Sequence, residues 1–125
     1  MPEEWPDQMR LATDAMIRRD FDRFVEFFDP DAEVSPLVSE LDGTVYQGHS
    51  GIRTWWNNLI AVFPNFVAEV IEVRDLGDEF LTVTTFQGDD ASIELTMWTL
   101  VALRNGKIAG WRSFRTEGEA LEAAA

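Results

Sequence analysis

The segment GHSGIRTWWNNLIAVFP, residues 48–64, separates a helical first half of the chain from a strand-rich second half. Ile52, Trp55, Trp56, Leu59, Ile60 and Phe63 fall at i, i+3, i+4, i+7, i+8 and i+11, a complete apolar face. Arg53, Thr54, Asn57 and Asn58 take the other side, and Pro64 ends the helix. Adjacent helical residues diverge by about 100°, so Trp55 and Trp56 cannot face the same way. One is expected to seal the sheet while the other caps the space beneath it.

Upstream, Met9, Ala12, Met16 and Ile17 form one stripe of a helix running from Asp7 to about Arg19, with Pro6 in its first turn. A second short helix begins after the N-cap Asp20, carries Phe21, Phe24, Val25, Phe27 and Phe28, and is expected to stop at Asp29-Pro30. Ala32-Glu33-Val34 reads as a short strand interrupted by Pro36, and a turn at Leu41 to Gly43 leads into Thr44-Val45-Tyr46.

Downstream of Pro64 the period becomes two. Strands are expected at Phe66 to Arg74, Phe80 to Gln87, Ser92 to Arg104 and Lys107 to Thr116. Leu76-Gly77-Asp78, Gly88-Asp89-Asp90 and Asn105-Gly106 supply the turns, the last with the chemistry of a two-residue hairpin. Gly118 to Ala125 reads as a frayed end or a helical turn. The order predicts an α+β fold, in which three N-terminal helices pack on a strongly curved, mostly antiparallel sheet and leave a cone-shaped cavity. On the longest strand Leu95, Met97, Val101 and Leu103 point one way and Thr96, Trp98, Leu100 and Ala102 the other. Both faces look dry, so a homodimer through the sheet is expected.

At 125 residues and 46% apolar content the chain suits one domain, taken as 1–125. Its 10 basic and 23 acidic residues give a formal charge of −13, which repels a phosphate backbone or an anionic lipid surface. No nucleic-acid or membrane partner is expected. The absence of cysteine excludes disulfides, thiolate nucleophiles and thiolate metal sites. MPEEWPDQ carries no charged-then-apolar signal pattern, and a cytoplasmic location is the expectation.

Three stretches carry a family resemblance: Asp20-Phe21-Asp22 through Phe27-Phe28-Asp29-Pro30-Asp31-Ala32-Glu33-Val34, then Tyr46-Gln47-Gly48-His49-Ser50-Gly51-Ile52-Arg53-Thr54-Trp55-Trp56, and finally Gly106-Lys107-Ile108 with Glu119-Ala120-Leu121-Glu122-Ala123. Together they resemble the SnoaL-like, polyketide-cyclase-related branch of the nuclear transport factor 2-like superfamily. The resemblance implies the cone fold and leaves the chemistry open, because the superfamily hosts isomerases, dehydratases, epoxide hydrolases, cyclases and non-catalytic members. Where ketosteroid isomerases carry the shuttling aspartate, the first-helix tyrosine and the neutral aspartate, this chain has Pro36, Ala12 and Trp98 or Leu100. Steroid isomerisation by that triad is rejected. The Asp-Arg-Asp set of limonene-epoxide hydrolases cannot be assembled from inward positions. Where SnoaL-type cyclases use a late acid, the sequence reads Phe114-Arg115-Thr116.

The candidate site residues follow from chemistry. His49 brings an imidazole, the side chain best suited to general-base work, although its place before a helix also suits a structural role. Tyr46 is a proton donor, and Arg115 could stabilise an enolate-like or alkoxide charge. Arg115 and Glu94 have the strand parity of the cone mouth, where they could pair. Trp56, Phe86, Thr84, Thr96, Trp98 and Trp111 are the candidate ligand-binding lining, with a filled interior as the alternative. No cofactor or metal is expected, since a lone histidine is a weak metal signal. Two functions remain: an aromatic-lined cone binding a small apolar or aromatic molecule, with cyclase, isomerase or hydrolase chemistry by general acid and base, or a non-catalytic binding or dimeric interaction module.

Overall fold

The computed structural model describes residues 5–36, 45–88 and 94–124. Its elements are α1 (Trp5–Ile17), α2 (Phe21–Val25), β1 (Phe28–Ser35), β2 (Tyr46–Gln47), α3 (Gly48–Val62), β3 (Val67–Asp75), β4 (Phe80–Gln87), β5 (Glu94–Arg104), β6 (Lys107–Phe114) and α4 (Glu117–Ala124). The architecture is mixed α+β, built on a six-stranded, curved and unclosed sheet in the order β2-β1-β6-β5-β4-β3. All neighbours are antiparallel except β1 and β6, which run parallel.

Local chemistry sets the boundaries. Asp20 caps α2, its side chain accepting from the Arg23 backbone N–H at 3.2 Å, as the sequence predicts. The helix ends at Val25, short of the expected Asp29-Pro30. Phe28 already belongs to β1, where it sits in register with Ile108. The parallel partner supplied by β6 explains the difference: Ile108 donates its N–H to the Phe27 carbonyl at 2.8 Å, a bond no local propensity reveals. Asn105 and Gly106, with φ of 54° and 80°, form the hairpin between β5 and β6. The expected turn at Leu41 to Gly43, Thr44, the Asp89-Asp90 pair and the beginning of β5 at Ser92 lie outside the described residues.

The main core fills the concave side of the sheet. Met9, Ala12, Ala15 and Met16 of α1, Phe24 of α2, and Ile52, Trp55 and Trp56 of α3 pack with Phe28, Val34, Phe80, Val101 and Ile108. The adjacent tryptophans separate as helix geometry requires. Trp56 turns towards α2, its ring 5.3 Å from both Phe21 and Phe24, whereas Trp55 reaches Trp111 of β6 at 5.6 Å.

The convex side holds a second cluster of Leu81, Val83, Leu100 and Ala120, with Trp98, Phe114, Leu76, Ala123 and Ala124 against it. Here the chain covers its own apolar face. Residues 117–124, expected to fray or form a single turn, make an eight-residue helix whose Ala120 is fully buried against the sheet. Thr116 initiates it, its hydroxyl accepting from the Glu119 N–H at 3.1 Å. No helix among the described residues is long and apolar enough to cross a membrane.

Candidate functional site

A cavity of about 470 Å³ lies between the concave face of the sheet and helices α1 and α3. That size falls within the common range for small-molecule sites, about 300–1,000 Å³. Strand alternation decides which residues reach it. From β4 come Thr84 and Phe86, from β5 Leu95, Met97 and Thr99, and from β6 Trp111 and Ser113. Trp55, Asn58, Leu59 and Val62 line it from α3, Thr13 and Met16 from α1, and Pro36 and Tyr46 from the β1–β2 edge.

The walls are mostly apolar. Phe86 stacks on Phe66 at 5.0 Å and meets Phe63 edge-on at 5.3 Å, which fixes the ring at the β3–β4 side. Polar atoms occur as two pairs. Asn58 Nδ2 donates to the Tyr46 hydroxyl oxygen at 3.3 Å, leaving the phenol proton available to a guest. The hydroxyls of Thr99 and Ser113 lie 3.0 Å apart across β5 and β6, and both residues are buried.

The Gly-His-Ser-Gly start of α3 has a structural explanation. A Cβ on Gly51 would lie 3.1 Å from the Tyr46 carbonyl carbon, so glycine lets the helix press against the strand that delivers Tyr46 without displacing its backbone. His49 Nε2 lies 3.0 Å from the Phe28 carbonyl oxygen and donates to it, tying the start of α3 to β1. The imidazole is exposed and lies off the cavity, so the general-base candidate is corrected to a structural link.

The other candidates divide. Tyr46, Thr84, Phe86 and Trp111 line the cavity together. Trp56 does not; it is consumed by α2, and its neighbour Trp55 takes the lining position. Thr96 and Trp98 are corrected as well, because even-numbered positions of β5 face the convex side, where Trp98 packs near α4. Arg115 lies past the end of β6, is exposed and is not a lining residue. Glu94 borders a groove with Gln87 and Glu69 that adjoins the cavity at Ala68 and Phe86, and Glu94 is not among the cavity-lining residues.

Trp55, Asn58, Met97, Thr99 and Ser113 also line the cavity, although they were not among the residues expected there. The alternation of β5 contained the signal for Met97 and Thr99, but the concave side was assigned to the wrong parity. Among the described residues no group of three or more His, Cys, Asp or Glu could hold a metal ion.

A bidentate ion pair lies away from the cavity. Arg104 forks onto Asp29 with N–O distances of 3.0 and 3.2 Å. Those bonds, together with the Asp31 N–H at 2.8 Å, hold the Asp29 carboxyl below its ordinary range. The pair clamps β1 to β5 across the intervening β6.

Comparison with known proteins places this geometry. A candidate polyketide cyclase from Sinorhizobium meliloti is 28% identical, with a TM-score of 0.75 over 87% of this chain and 94% of that one. IdmH, a candidate polyketide cyclase from Streptomyces antibioticus, is 21% identical with a TM-score of 0.73, covering 94% and 95%. TerC, crystallised with polyporic acid, is 18% identical with a TM-score of 0.73, covering 93% and 94%. The last two likenesses show the fold alone. No curated protein sequence matches the chain. Residues 10–111 match the SnoaL-like domain, and the chain belongs to that family.

Proposed function

We propose that the protein binds a small apolar or aromatic molecule in the concave cavity, with its oxygen-bearing edge oriented by the two polar pairs. The observation that carries this reading is the lining itself: aromatic and aliphatic walls from Trp55, Trp111, Phe86 and Met97, with a few convergent hydroxyl and amide groups. The candidate polyketide cyclase that is 28% identical supports an aromatic or polycyclic guest.

Catalysis is a second reading, favoured by Tyr46. With Asn58 donating to its oxygen, the phenol can give its proton to a carbonyl of the guest. Among the described lining residues Tyr46 is the one ionisable side chain. Binding and orientation therefore rank above acid–base chemistry.

The test uses N-phenyl-1-naphthylamine, a neutral apolar fluorophore. Saturable binding with energy transfer from tryptophan is expected. Ala68→Phe, which fills the cavity from β3, should abolish it while leaving the fold intact by circular dichroism. Unchanged binding by that variant places the ligand elsewhere.

We also propose a homodimer through the sheet. It is supported by Val67 and Ile71, about half exposed on edge strand β3. Light scattering at micromolar concentration should give twice the chain mass; a monomer rejects it.

A further inference from the structure

A row of three hydroxyls crosses the concave face. Thr82 of β4 is the register partner of Thr99 of β5, which is the register partner of Ser113 of β6. Two positions along each strand stand Thr84, Met97 and Trp111, all lining the cavity, so all three hydroxyl-bearing side chains stand on that same face. Thr99 and Ser113 reach the cavity and bond each other at 3.0 Å. Thr82 stands one strand over and does not line the cavity. It is fully buried, and its Oγ1 has no hydrogen-bond partner among the described residues. A buried orphan hydroxyl costs free energy, and this one stands next to a bonded pair.

We infer that Thr82, Thr99 and Ser113 form a hydroxyl relay that ends in the cavity and takes a carbonyl oxygen of the bound molecule. The inference rests on the binding reading above and names the chemistry of the guest. Residues directly opposite on one face of an antiparallel pair have Cβ atoms about 4.5–5.5 Å apart, within reach of a hydroxyl turned along the row. Threonine has more than one accessible χ1 well, so Thr82 can make that turn.

Proton count then sets the direction. Three hydroxyls carry three protons, and a closed row uses two of them internally. If the row ran from Ser113 towards Thr82, the unused proton would be stranded at the most buried position. Orphaned buried donors are rarer than under-used acceptors. The opposite direction leaves only a lone pair of Thr82 idle and presents the Ser113 proton to the cavity. A carbonyl accepts that proton, and each bond in the chain polarises the next. Ser113 therefore touches the guest, while Thr99 and Thr82 are positioning residues.

The test is displacement of N-phenyl-1-naphthylamine by two guests of one shape, 1-tetralone and its hydrocarbon tetralin. Ser113→Ala is expected to weaken 1-tetralone about tenfold, or about 1.4 kcal/mol, with tetralin unchanged. Thr99→Val, nearly isosteric, should discriminate in the same sense and guards against a folding defect in the first variant. Thr82→Val should weaken 1-tetralone about twofold to threefold through the lost polarisation, with tetralin unchanged. Equal loss of both guests, or loss of neither, in the Ser113 and Thr99 variants overturns the inference. Unchanged ketone affinity in Thr82→Val overturns the relay. Failure of the parent protein to bind N-phenyl-1-naphthylamine sinks the binding reading instead, and is seen before any variant is made.

Discussion

The two faces of β5 carry similar sequence and do different things. Met97 and Thr99 look into a cavity, while Trp98 and Leu100, the residues beside them, pack on the convex side near α4. A tryptophan is the more obvious ligand contact than a threonine, yet here the threonine faces the cavity. The difference lies in what covers each face. The convex side is met by a short helix rich in alanine, which packs close; the concave side is spanned by long helices whose bulky residues hold them off the open end of the sheet.

That contrast can be broken experimentally, beginning with its largest element. Trp56→Ala removes a ring packed on Phe21 and Phe24 at the closed end of the concave side, and should cost about 3–5 kcal/mol in urea denaturation without any ligand. A parent-like midpoint would mean α2 does not depend on it. Trp98→Ala is expected to cost about 1–3 kcal/mol, because the ring is only half-buried. Its affinity for N-phenyl-1-naphthylamine should stay that of the parent, and loss of binding would place the ring in the cavity after all.

The smallest effect concerns the clamp that both faces share. The Asp29 carboxyl is held below its reference pKa of 3.8, so its contribution is fully present above that value and is lost as pH falls through the lowered folded value. Asp29→Asn should therefore melt below the parent at pH 7, with the gap closing under pH 3.8. A gap independent of pH would show that Arg104 contributes packing and not charge.

Much of the fold was legible in the sequence. The apolar faces of α1 and α3, the Asp20 cap, the Asn105-Gly106 hairpin and the period-two strands all follow from local rules, and the helix-then-sheet order gives the α+β class. The elements misread were those that a distant partner controls. Phe28 joined β1 because β6 lies beside it, and residues 117–124 became a helix because the convex sheet buries Ala120. Of the residues singled out by type and strand position, Tyr46, Thr84, Phe86 and Trp111 line the cavity. Trp56, Thr96 and Trp98 lie off the cavity, since periodicity says that two residues face opposite ways and never which way is inward.

The sequence by itself determined most of the elements, their amphipathic period and a formal net charge of −13. Only the tertiary structure decided which parity of β5 faces the helices, which of two adjacent tryptophans meets the cavity, and that Thr82, Thr99 and Ser113 share a row. The physical reason is that alternation and helical periodicity are properties of one segment. Inside and outside are properties of how segments, far apart in the chain, cover one another.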